Sequence, residues 1–473
     1  MIAGPATAPA PAAERATPRA AERPPSAAAA PRPRGAGSTL AVLAALGVTA
    51  VPTGVVTAVA LAAGGALRLG RRALGRGGTA VPRGRVLVTG ARMTKALALA
   101  RAFHGAGYEV VLVDTDRYAL APHRFSRAAA GFATVPDPRA DPAGYTDALV
   151  ALAERAGVTA FVPVPSPASA VLDAAAGECM GDGVAVVHPT EAETRVLDDK
   201  FAFCRHAADL GLPAPEVHRV TSEADVLGFD FADSGKRFVL KSIVYDPVAR
   251  LEMLRLPCAD MDARVRGLPI SEERPWVLQE LVEGEEFCTH GTARDGRLTL
   301  FCCSRSSPFQ VNYEHVEHPV IERWSREYVE RSGVTGQVSF DFIEAADGRV
   351  LPIECNPRTH SAIAAFERGV ADAYLGEVAA TGCATPDPGA RPAHWIAHEL
   401  GRLARARDLA SVARVLRTIA RGRDAVFRWS DPLPFFALHH VFVPWLLVKS
   451  LVRGRRWLRI DFNIGKLVEA GGD

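Results

Sequence analysis

The chain has 473 residues, of which 48% are hydrophobic and 23% are charged, and its formal net charge is +2. At roughly 100 to 200 residues per domain, this length predicts about two to four domains with enough apolar content for packed cores, which excludes a small disulfide scaffold, a collagen and a wholly disordered chain. The near-neutral charge also disfavours a dedicated nucleic-acid binder, whose surface would be strongly basic. The eight cysteines show no C-x-x-C pair and no zinc-finger spacing with histidine, so they predict reduced thiols in a cytoplasmic protein.

The net charge is an average over three unlike segments. Residues 1–85 carry +9, residues 86–400 carry −15 and residues 401–473 carry +8. The acidic middle is typical of a soluble domain. The two basic ends adjoin apolar runs, and arginine beside apolar sequence suits contact with anionic lipid.

The N-terminal region divides into a polar tail and a hydrophobic segment. Residues 1–34 consist almost entirely of Ala, Pro, Arg, Glu and Ser without periodicity, so we expect disorder. Residues 35–76 begin with a charge-free run from Gly35 to Leu67 that is long enough to span a hydrocarbon core of ~30 Å, and this predicts a membrane anchor. Four arginines follow the run and indicate a cytoplasmic side: Arg68, Arg71, Arg72 and Arg76. Because the run is rich in Ala and Gly and contains Pro52, a kinked or interfacial helical hairpin is the alternative.

Residues 84–190 predict a doubly wound αβ domain. Apolar strand-like runs at 85–90, 109–114, 160–164 and 184–187 alternate with helical patterns, the clearest at 95–104. This short alternation indicates a parallel sheet. The turn after the first run contains a single glycine, Gly90, so the dinucleotide pattern G-x-G-x-x-G is missing and NAD binding is disfavoured. The amides that open the next helix, with Lys95 beside them, suit an anionic or enolic substrate.

The residues with the clearest chemistry lie within 191–385. Lys200 follows two aspartates, and Lys241 ends a strand-like run. A further strand, 276–280, leads through a glycine-containing turn to Glu286. Two lysines on separate elements suit the neutralisation of nucleotide phosphates. The backbone of residues 279–282 suits pairing with an adenine edge, and Glu286 suits ribose hydroxyls.

A predicted β-hairpin with its turn at residues 346–348 supplies candidate metal ligands. In that hairpin Asp341 lies opposite or close to Glu354. Glu354 and Asn356 point to one face because strand side chains alternate with a period of two. Three oxygen donors on one face are suited to Mg²⁺ that also binds nucleotide phosphates.

The order and spacing of these segments resemble those of the ATP-grasp ligases from about residue 85 to residue 376. The resemblance implies a mixed α/β and α+β fold, in which an N-terminal doubly wound parallel-sheet domain precedes a two-lobed ATP-grasp domain. It implies ATP and Mg²⁺ as cofactors, with Mn²⁺ as an alternative metal. The matching nucleotide-binding positions are Lys200, Lys241, Gln279, Glu280, Leu281, Val282 and Glu286, and the matching metal ligands are Asp341, Glu354 and Asn356.

Six stretches are similar in more detail to the mycosporine-glycine synthases within that family: 89–97, 197–203, 287–290, 306–314, 354–362 and 459–466. This resemblance implies that ATP, glycine and 4-deoxygadusol are converted to mycosporine-glycine, ADP and phosphate. Arg358 is expected at the transferred phosphate, and Arg305 is a second catalytic candidate. His290, His360 and Ser361 belong to the similar stretches and are hypotheses for substrate binding.

Residues 386–473 predict a helical extension. The apolar run 435–448 is too short to span a membrane comfortably and is followed by Lys449, Trp457 and four arginines. An interfacial helix on anionic lipid and a helix packed on the main domain are both consistent with this pattern. We expect a cytoplasmic enzyme with small-molecule substrates, without nucleic acid, and with a candidate contact to the inner membrane surface. The sequence leaves the oligomeric state open.

Two rival functions remain at this point. The first is another ATP-grasp ligase that joins a different amine to a different carboxylic or enolic acid, since the nucleotide-binding residues do not select the substrates. The second is a nucleotide-binding scaffold on the membrane. The complete set of metal ligands disfavours a scaffold, which has no need of all three.

Overall fold

The computed structural model describes residues 33–73, 81–164, 166–243, 253–306, 312–376 and 382–469, with the backbone alone for 68–73. The expected disordered tail lies outside these ranges except for its last two residues. The side chains of the four arginines that follow the hydrophobic run also lie outside the described residues, as do positions 307–311 of one similar stretch.

The hydrophobic segment forms a single helix, α1 (Ala36–Ala73), in place of a hairpin. It continues through Pro52, which lies on the exposed side of the helix. The carbonyl that a proline leaves without a donor belongs to the residue four positions earlier, Val48, which is 77% exposed, so no buried partner is lost. Along its other side α1 rests on the body of the protein, where Leu43 and Leu46 pack against the main core.

The first αβ unit has the predicted parallel sheet. Its elements are β1 (Arg85–Val88), α2 (Thr94–Gly105), β2 (Glu109–Thr115), β3 (Ala129–Val135), α3 (Pro142–Ala156), β4 (Ala160–Val162), α4 (Ala170–Glu178) and β5 (Ala185–Val186). The strand order is β3-β2-β1-β4-β5, and every pairing is parallel. Strand β3 was not expected, because Ala and Gly make up four of its seven residues and its β-branched residues, Thr134 and Val135, come only at its end.

A small antiparallel lobe follows. Two helices come before it, α5 (Glu191–Asp198) and α6 (Lys200–Asp209), and their buried residues pack in the core of the larger sheet described below. The elements of the small lobe are β6 (Val217–Val220), α7 (Glu223–Leu227), α8 (Phe231–Ser234), β7 (Phe238–Ser242), β8 (Leu254–Leu256), α9 (Met261–Val265) and β9 (Trp276–Glu280). The sheet order is β6-β9-β7-β8. Its own apolar core is built around Phe238, Leu240 and Trp276, so this sheet packs as a separate layer.

The larger lobe is a second antiparallel sheet with the order β11-β10-β13-β14. Its elements are β10 (Gly284–Arg294), β11 (Arg297–Arg305), β12 (Asn312–Tyr313), α10 (Pro319–Ser332), β13 (Gly336–Ala345), β14 (Val350–Asn356) and α11 (Val370–Leu375). Adjacent residues of β11 face different cores: Cys302 packs with the αβ unit and Cys303 packs under α10. One face of this sheet is therefore turned toward the first domain.

The C-terminal extension is packed into the same body. Its elements are β15 (Ala393–His394), α12 (Ile396–Leu403), α13 (Leu409–Arg421), β16 (Arg423–Asp424), α14 (Leu433–Ala437), a π-helical turn (Leu438–Phe442), α15 (Val443–Val452), β17 (Trp457–Asp461) and β18 (Lys466–Glu469). Leu438, Phe442 and Leu447 are fully buried in the main core. The apolar run at 435–448 is therefore largely a packed helix.

Among the described residues, two helical segments are long and apolar enough to cross a membrane, Ala36–Leu67 and Leu433–Val452. They differ in burial, since 6% of an apolar 18-residue stretch of the first and 44% of such a stretch of the second is buried inside the protein. A buried core helix meets the same test of length and composition, which explains the second segment better than the first.

Candidate active site

The β13–β14 hairpin brings the three proposed metal ligands together. Asp341 is paired in register with Glu354, and Asn356 is two residues further along the same strand. The amide of Asn356 donates to Asp341 Oδ2 over 3.3 Å. The other oxygen, Asp341 Oδ1, is buried without a hydrogen-bond partner among the described residues. An acceptor atom left in this state is costly unless a ligand binds it.

The electrostatics of this hairpin favour a bound cation. Burial and the adjacent Glu354 carboxylate raise the pKa of Asp341 well above its ordinary value. Burial would raise the pKa of Glu354 as well, but the positive charge of Lys200 and its neighbours outweighs that effect and lowers it. Within the described ranges no three His, Cys, Asp or Glu side chains are grouped to bind a metal ion. The candidate donors are therefore two carboxylates and one amide, a set of oxygen ligands that fits Mg²⁺ bound jointly with phosphates.

The two predicted lysines approach this hairpin from different elements, Lys200 from α6 and Lys241 from strand β7 of the small lobe. Lys200 is the first residue of α6, whose N-terminus is capped by Asp199, and its Nζ lies 3.5 Å from Glu354 Oε2. Lys241 in β7 donates to Gln279 Oε1 over 2.8 Å. Burial, together with the neighbouring Lys200 ammonium, lowers the pKa of Lys241. Anionic phosphates placed between these groups would relieve that repulsion.

The proposed adenine-binding segment, 279–282, has two parts with different roles. Gln279 and Glu280 hold the lobes together through their side chains: Gln279 Nε2 donates to the carbonyl of Ile353 over 2.8 Å, and Glu280 pairs with Lys236 and Arg349. The backbone N–H groups of Glu280 and Leu281 donate to the carbonyls of Glu216 and Arg237, the residues that precede β6 and β7.

Val282 differs from Glu280 and Leu281 in that its backbone N–H is not used within the described part of the protein. It is 6% exposed, and no described residue accepts a hydrogen bond from its backbone N–H. The structure thus offers one buried donor where an adenine acceptor is expected. Glu286 lies nearby on β10, exposed, with its Oε1 accepting from Ser306 Oγ over 3.1 Å.

The two arginine candidates are placed differently. Arg358 is 15% exposed, donates to Asp198 over 2.8 Å and contacts the side-chain oxygen of Asn356, so it adjoins the candidate metal ligands. Arg305 is paired with Phe287 in the sheet and forms an ion pair with Glu285.

The sheet register places Arg305 on the other face from the metal ligands. Cys288 is paired with Asp341, and Phe287, next to it, is paired with Arg305, while neighbouring strand residues point to opposite faces. The side chain of Arg305 is 59% exposed. Its catalytic role stays a prediction.

The three residues proposed to bind substrate lie together between the large lobe and the first domain. They are His290, His360 and Ser361. His290 is fully buried, with Nε2 3.0 Å from the Tyr374 hydroxyl, and burial lowers its pKa well below the ordinary value. Burial, then the charges of Lys95 and Arg358, lower the pKa of His360 to about 3. These histidines are therefore neutral near pH 7.

Sequence reasoning did not assign roles to two further residues of this region, Asp198 and Asn463. Asp198 holds Arg358 in place, and Asn463 Nδ2 donates to Ser361 Oγ over 2.7 Å. Each contact joins positions more than 100 residues apart, and no local sequence pattern predicts a contact over that separation. The one signal that could have found them is their position inside the similar stretches 197–203 and 459–466.

No protein-family model and no curated protein matches the chain. Among solved structures, N5-carboxyaminoimidazole synthetase from Staphylococcus aureus aligns with a TM-score of 0.51 and 14% identity over 66% of this chain and 82% of that one. The ADP complex of purK, an N5-carboxyaminoimidazole ribonucleotide synthetase, aligns with a TM-score of 0.51 and 12% identity over 66% of this chain and 81% of that one. At these identities the likeness concerns the fold alone, and it confirms the expected mixed α/β fold with a parallel sheet followed by antiparallel sheets.

Proposed function

We propose that this protein is an ATP-dependent carbon–nitrogen ligase. The observation that carries the proposal is the buried Asp341 carboxylate with an oxygen lacking a partner, placed beside Glu354 and Asn356 and facing Lys200 and Lys241. This arrangement has the donors for Mg²⁺ and the charges for a nucleoside triphosphate. The shared fold with a protein solved as an ADP complex supports the same ligand here.

The chemistry requires the protein chiefly to position groups and to stabilise charge. When bound, Mg²⁺ supplies charge compensation for the phosphates. Lys200 and Lys241 bind the phosphates, the Val282 N–H positions adenine, and Glu286 accepts from the ribose. Arg358 stabilises the negative charge that develops on the transferred phosphoryl group. Arg305 is proposed as a further contact to substrate or phosphate from the opposite side of the sheet.

The substrates proposed are glycine and 4-deoxygadusol, on the strength of the stretches that resemble mycosporine-glycine synthases. An enolic oxygen of 4-deoxygadusol attacks the γ-phosphorus and ADP leaves. The glycine amine then attacks the activated ring carbon, loses a proton and displaces phosphate, which gives the enaminone mycosporine-glycine. His290, His360 and Ser361 are proposed to shape the substrate pocket, with the two histidines neutral.

Incubation of the purified protein with ATP, Mg²⁺, glycine and 4-deoxygadusol tests the proposal. We expect a near-ultraviolet-absorbing product with the mass of mycosporine-glycine and one ADP per product. Formation of ADP only with another amine or acid would keep the ligase and replace the substrates. The absence of ADP formation with all amine and acid pairs would contradict the ligase itself.

We also propose that α1 lies along an anionic membrane surface and does not cross the bilayer. Its contacts with the body extend from Thr39, which accepts from Trp457 Nε1 over 2.9 Å, through Leu46, whose carbonyl contacts His440 Nδ1 at 3.1 Å, to Gly64 beside Arg127. At 1.5 Å per residue this docked length is about 37 Å. A helix held along its length against a folded domain cannot also be surrounded by lipid.

The exposed side of α1 carries no charge between Ala36 and Leu67 and is mostly apolar, with Ser38 and Thr49 as exposed polar residues. Exposed large apolar residues on it are Leu40, Val48, Val51, Val55, Val56, Val59 and Leu67. The adjacent α15 exposes Val448 and Val452 beside Lys449 and Arg453. Apolar stripes next to cations are suited to the acyl and headgroup regions of anionic lipid.

Vesicle flotation with full-length protein tests the membrane contact. Wild type should float with vesicles that contain phosphatidylglycerol, and Val51→Glu should reduce that binding, since Val51 is 73% exposed on the apolar side. Val320→Glu is the matched control, as Val320 is 50% exposed on α10. Equal flotation of the three proteins, or none by wild type, would contradict the contact. Dimerisation that Val51→Glu abolishes would show that a second copy covers α1.

A further inference from the structure

Three remote segments of the chain meet beside the candidate active site. They are the turn that opens α2, the loop after β14, and the turn between β17 and β18. The backbone carbonyl of Asn463 accepts from the N–H of Thr94 over 2.9 Å, and the Asn463 amide contacts Ser361. Lys95 Nζ donates to the carbonyl of Thr359 over 2.7 Å. The C-terminal hairpin is thus part of the wall between the first domain and the metal ligands.

The turn between β17 and β18 packs closely against the first domain at Gly465. Gly465 has a φ of 67° and lies so close to the first domain that an added Cβ would be 2.4 Å from the carbonyl oxygen of Arg92. Only glycine satisfies both conditions. The turn therefore has one defined position against α2, and that position fixes Asn463.

The side chain of Asn463 has a buried oxygen without a hydrogen-bond partner among the described residues. The residue is 8% exposed, its Nδ2 is used by Ser361, and its Oδ1 has no hydrogen-bond partner among the described residues. Exchange of the amide nitrogen and oxygen would leave a nitrogen unpaired instead, so one half of the amide is free in either assignment. A buried amide in this state is suited to a polar group of a ligand.

The charged groups near the Asn463 amide favour an anionic ligand. Lys95 is 6% exposed, and the positive charges of Arg358 and Arg92 act on it more strongly than the negative charge of Asp461. His360, on the same side, is neutral because it is buried next to those cations. Arg358 is paired with Asp198 and Arg92 with Asp114, whereas the Lys95 ammonium, bonded to the Thr359 carbonyl, forms no ion pair with a carboxylate among the described residues. A bound anionic oxygen would therefore stabilise the charge of Lys95.

We propose that Asn463 completes the pocket for the acid substrate: its side-chain amide binds a hydroxyl group of the acid, while Lys95 pairs with the ionised oxygen. The ligand class is an ionised carboxylic or enolic acid with a hydroxyl group nearby. This inference rests on the proposed ligase function and adds the residue that distinguishes hydroxylated acids from others. The C-terminal hairpin is then a determinant of specificity as well as of folding.

Steady-state kinetics of full-length Asn463→Ala tests this assignment. We expect the KM for 4-deoxygadusol to rise at least about fivefold, the loss typical of a hydrogen bond whose partner is left unpaired, while the KM for ATP changes less than about twofold. Competitive inhibition by 1,3-cyclohexanedione, an enol without ring hydroxyls, should be unchanged in the variant. The control is Arg455→Ala, which removes an ion pair to Glu469 at the far end of the same hairpin.

The outcomes separate this inference from the proposed function. An unchanged KM for 4-deoxygadusol would overturn the role of Asn463, and so would equal increases in both KM values or weaker inhibition by 1,3-cyclohexanedione. If wild type does not use 4-deoxygadusol, the proposed substrate is wrong. A panel of hydroxylated acids is then screened for ADP release, and the acid that elicits it replaces 4-deoxygadusol in the comparison of wild type with Asn463→Ala. If no acid in the panel elicits ADP release, both proposals are overturned.

Discussion

The nucleotide side and the acid side of the candidate active site are built in opposite ways. On the nucleotide side, Glu354 lies 3.5 Å from Lys200, and the charges of Lys200 and Lys241 lower the pKa of Glu354, so opposite charges lie close together. On the acid side, Lys95 has cations as its strongest charged neighbours and the histidines are neutral. A cation and its phosphates fit the first side, whereas a single anionic oxygen fits the second.

The two sides also differ in how far apart their residues lie in the chain. The candidate metal ligands come from one hairpin whose register follows from its turn. The acid side joins the α2 turn to the loop after β14 and to the C-terminal hairpin, with Lys95 and Thr359 separated by 264 positions. Local pairing therefore builds one side, and domain packing builds the other.

The largest effect is expected from Asp341→Asn on the nucleotide side. The amide keeps the shape but loses the charge that a divalent cation requires, so turnover should fall by about a thousandfold or more. Thermal unfolding should not occur earlier, because the substitution removes the repulsion between Asp341 and Glu354. Asp347→Asn, in the exposed turn of the same hairpin, is the control and should keep its activity. Full activity of Asp341→Asn would show that the metal ligands are misidentified.

An intermediate effect, on stability, is expected from Lys95→Met on the acid side. Burial, then the charges of Arg358 and Arg92, lower the pKa of Lys95 from 10.5 to about 7 in the folded protein. Between these values the unfolded chain binds more protons, so this group makes the folded state more stable as the pH rises. Raising the pH from 7.5 to 9 should therefore increase the unfolding temperature of wild type by about 2–4 °C more than that of the variant.

Differential scanning fluorimetry of both proteins at the two pH values measures this difference directly. All other titrating groups are shared, so their contributions cancel in the comparison. Equal pH dependence would show that Lys95 is not held among cations, and the contrast between the two sides would fail.

The smallest effect is expected from Glu280→Gln at the joint between the lobes. The change weakens ion pairs with Lys236 and Arg349, whose side chains are 41% and 51% exposed, so each pair contributes little. The KM for ATP should rise about two- to fivefold as the adjacent Val282 N–H is held less firmly. Glu283→Gln, an exposed neighbour in the same loop, should leave the KM for ATP unchanged. A loss of all activity in Glu280→Gln would instead mean that its carboxylate contacts the nucleotide.

Several parts of the fold were predictable because their signals are local. The period-two alternation around the turn at 346–348 is enough to bring Asp341 opposite or close to Glu354, and the two residues are paired in the sheet. The parallel sheet of the first domain followed from alternating strand and helix patterns. Strand β3 was missed because Ala and Gly carry little strand preference, and α1 continues through a proline that the sequence suggested as a break.

The sequence by itself determined the αβ order, the hairpin that carries the candidate metal ligands and the charge-free segment that forms most of α1, since each depends on neighbours a few residues apart. Only the tertiary structure decided that α1 lies along the protein, that Arg305 faces away from Asp341, and that Asn463 meets Ser361 beside Lys95. Those outcomes depend on which surfaces pack together across hundreds of residues. Packing of that kind follows from shape and burial summed over whole domains, which no local pattern of residues encodes.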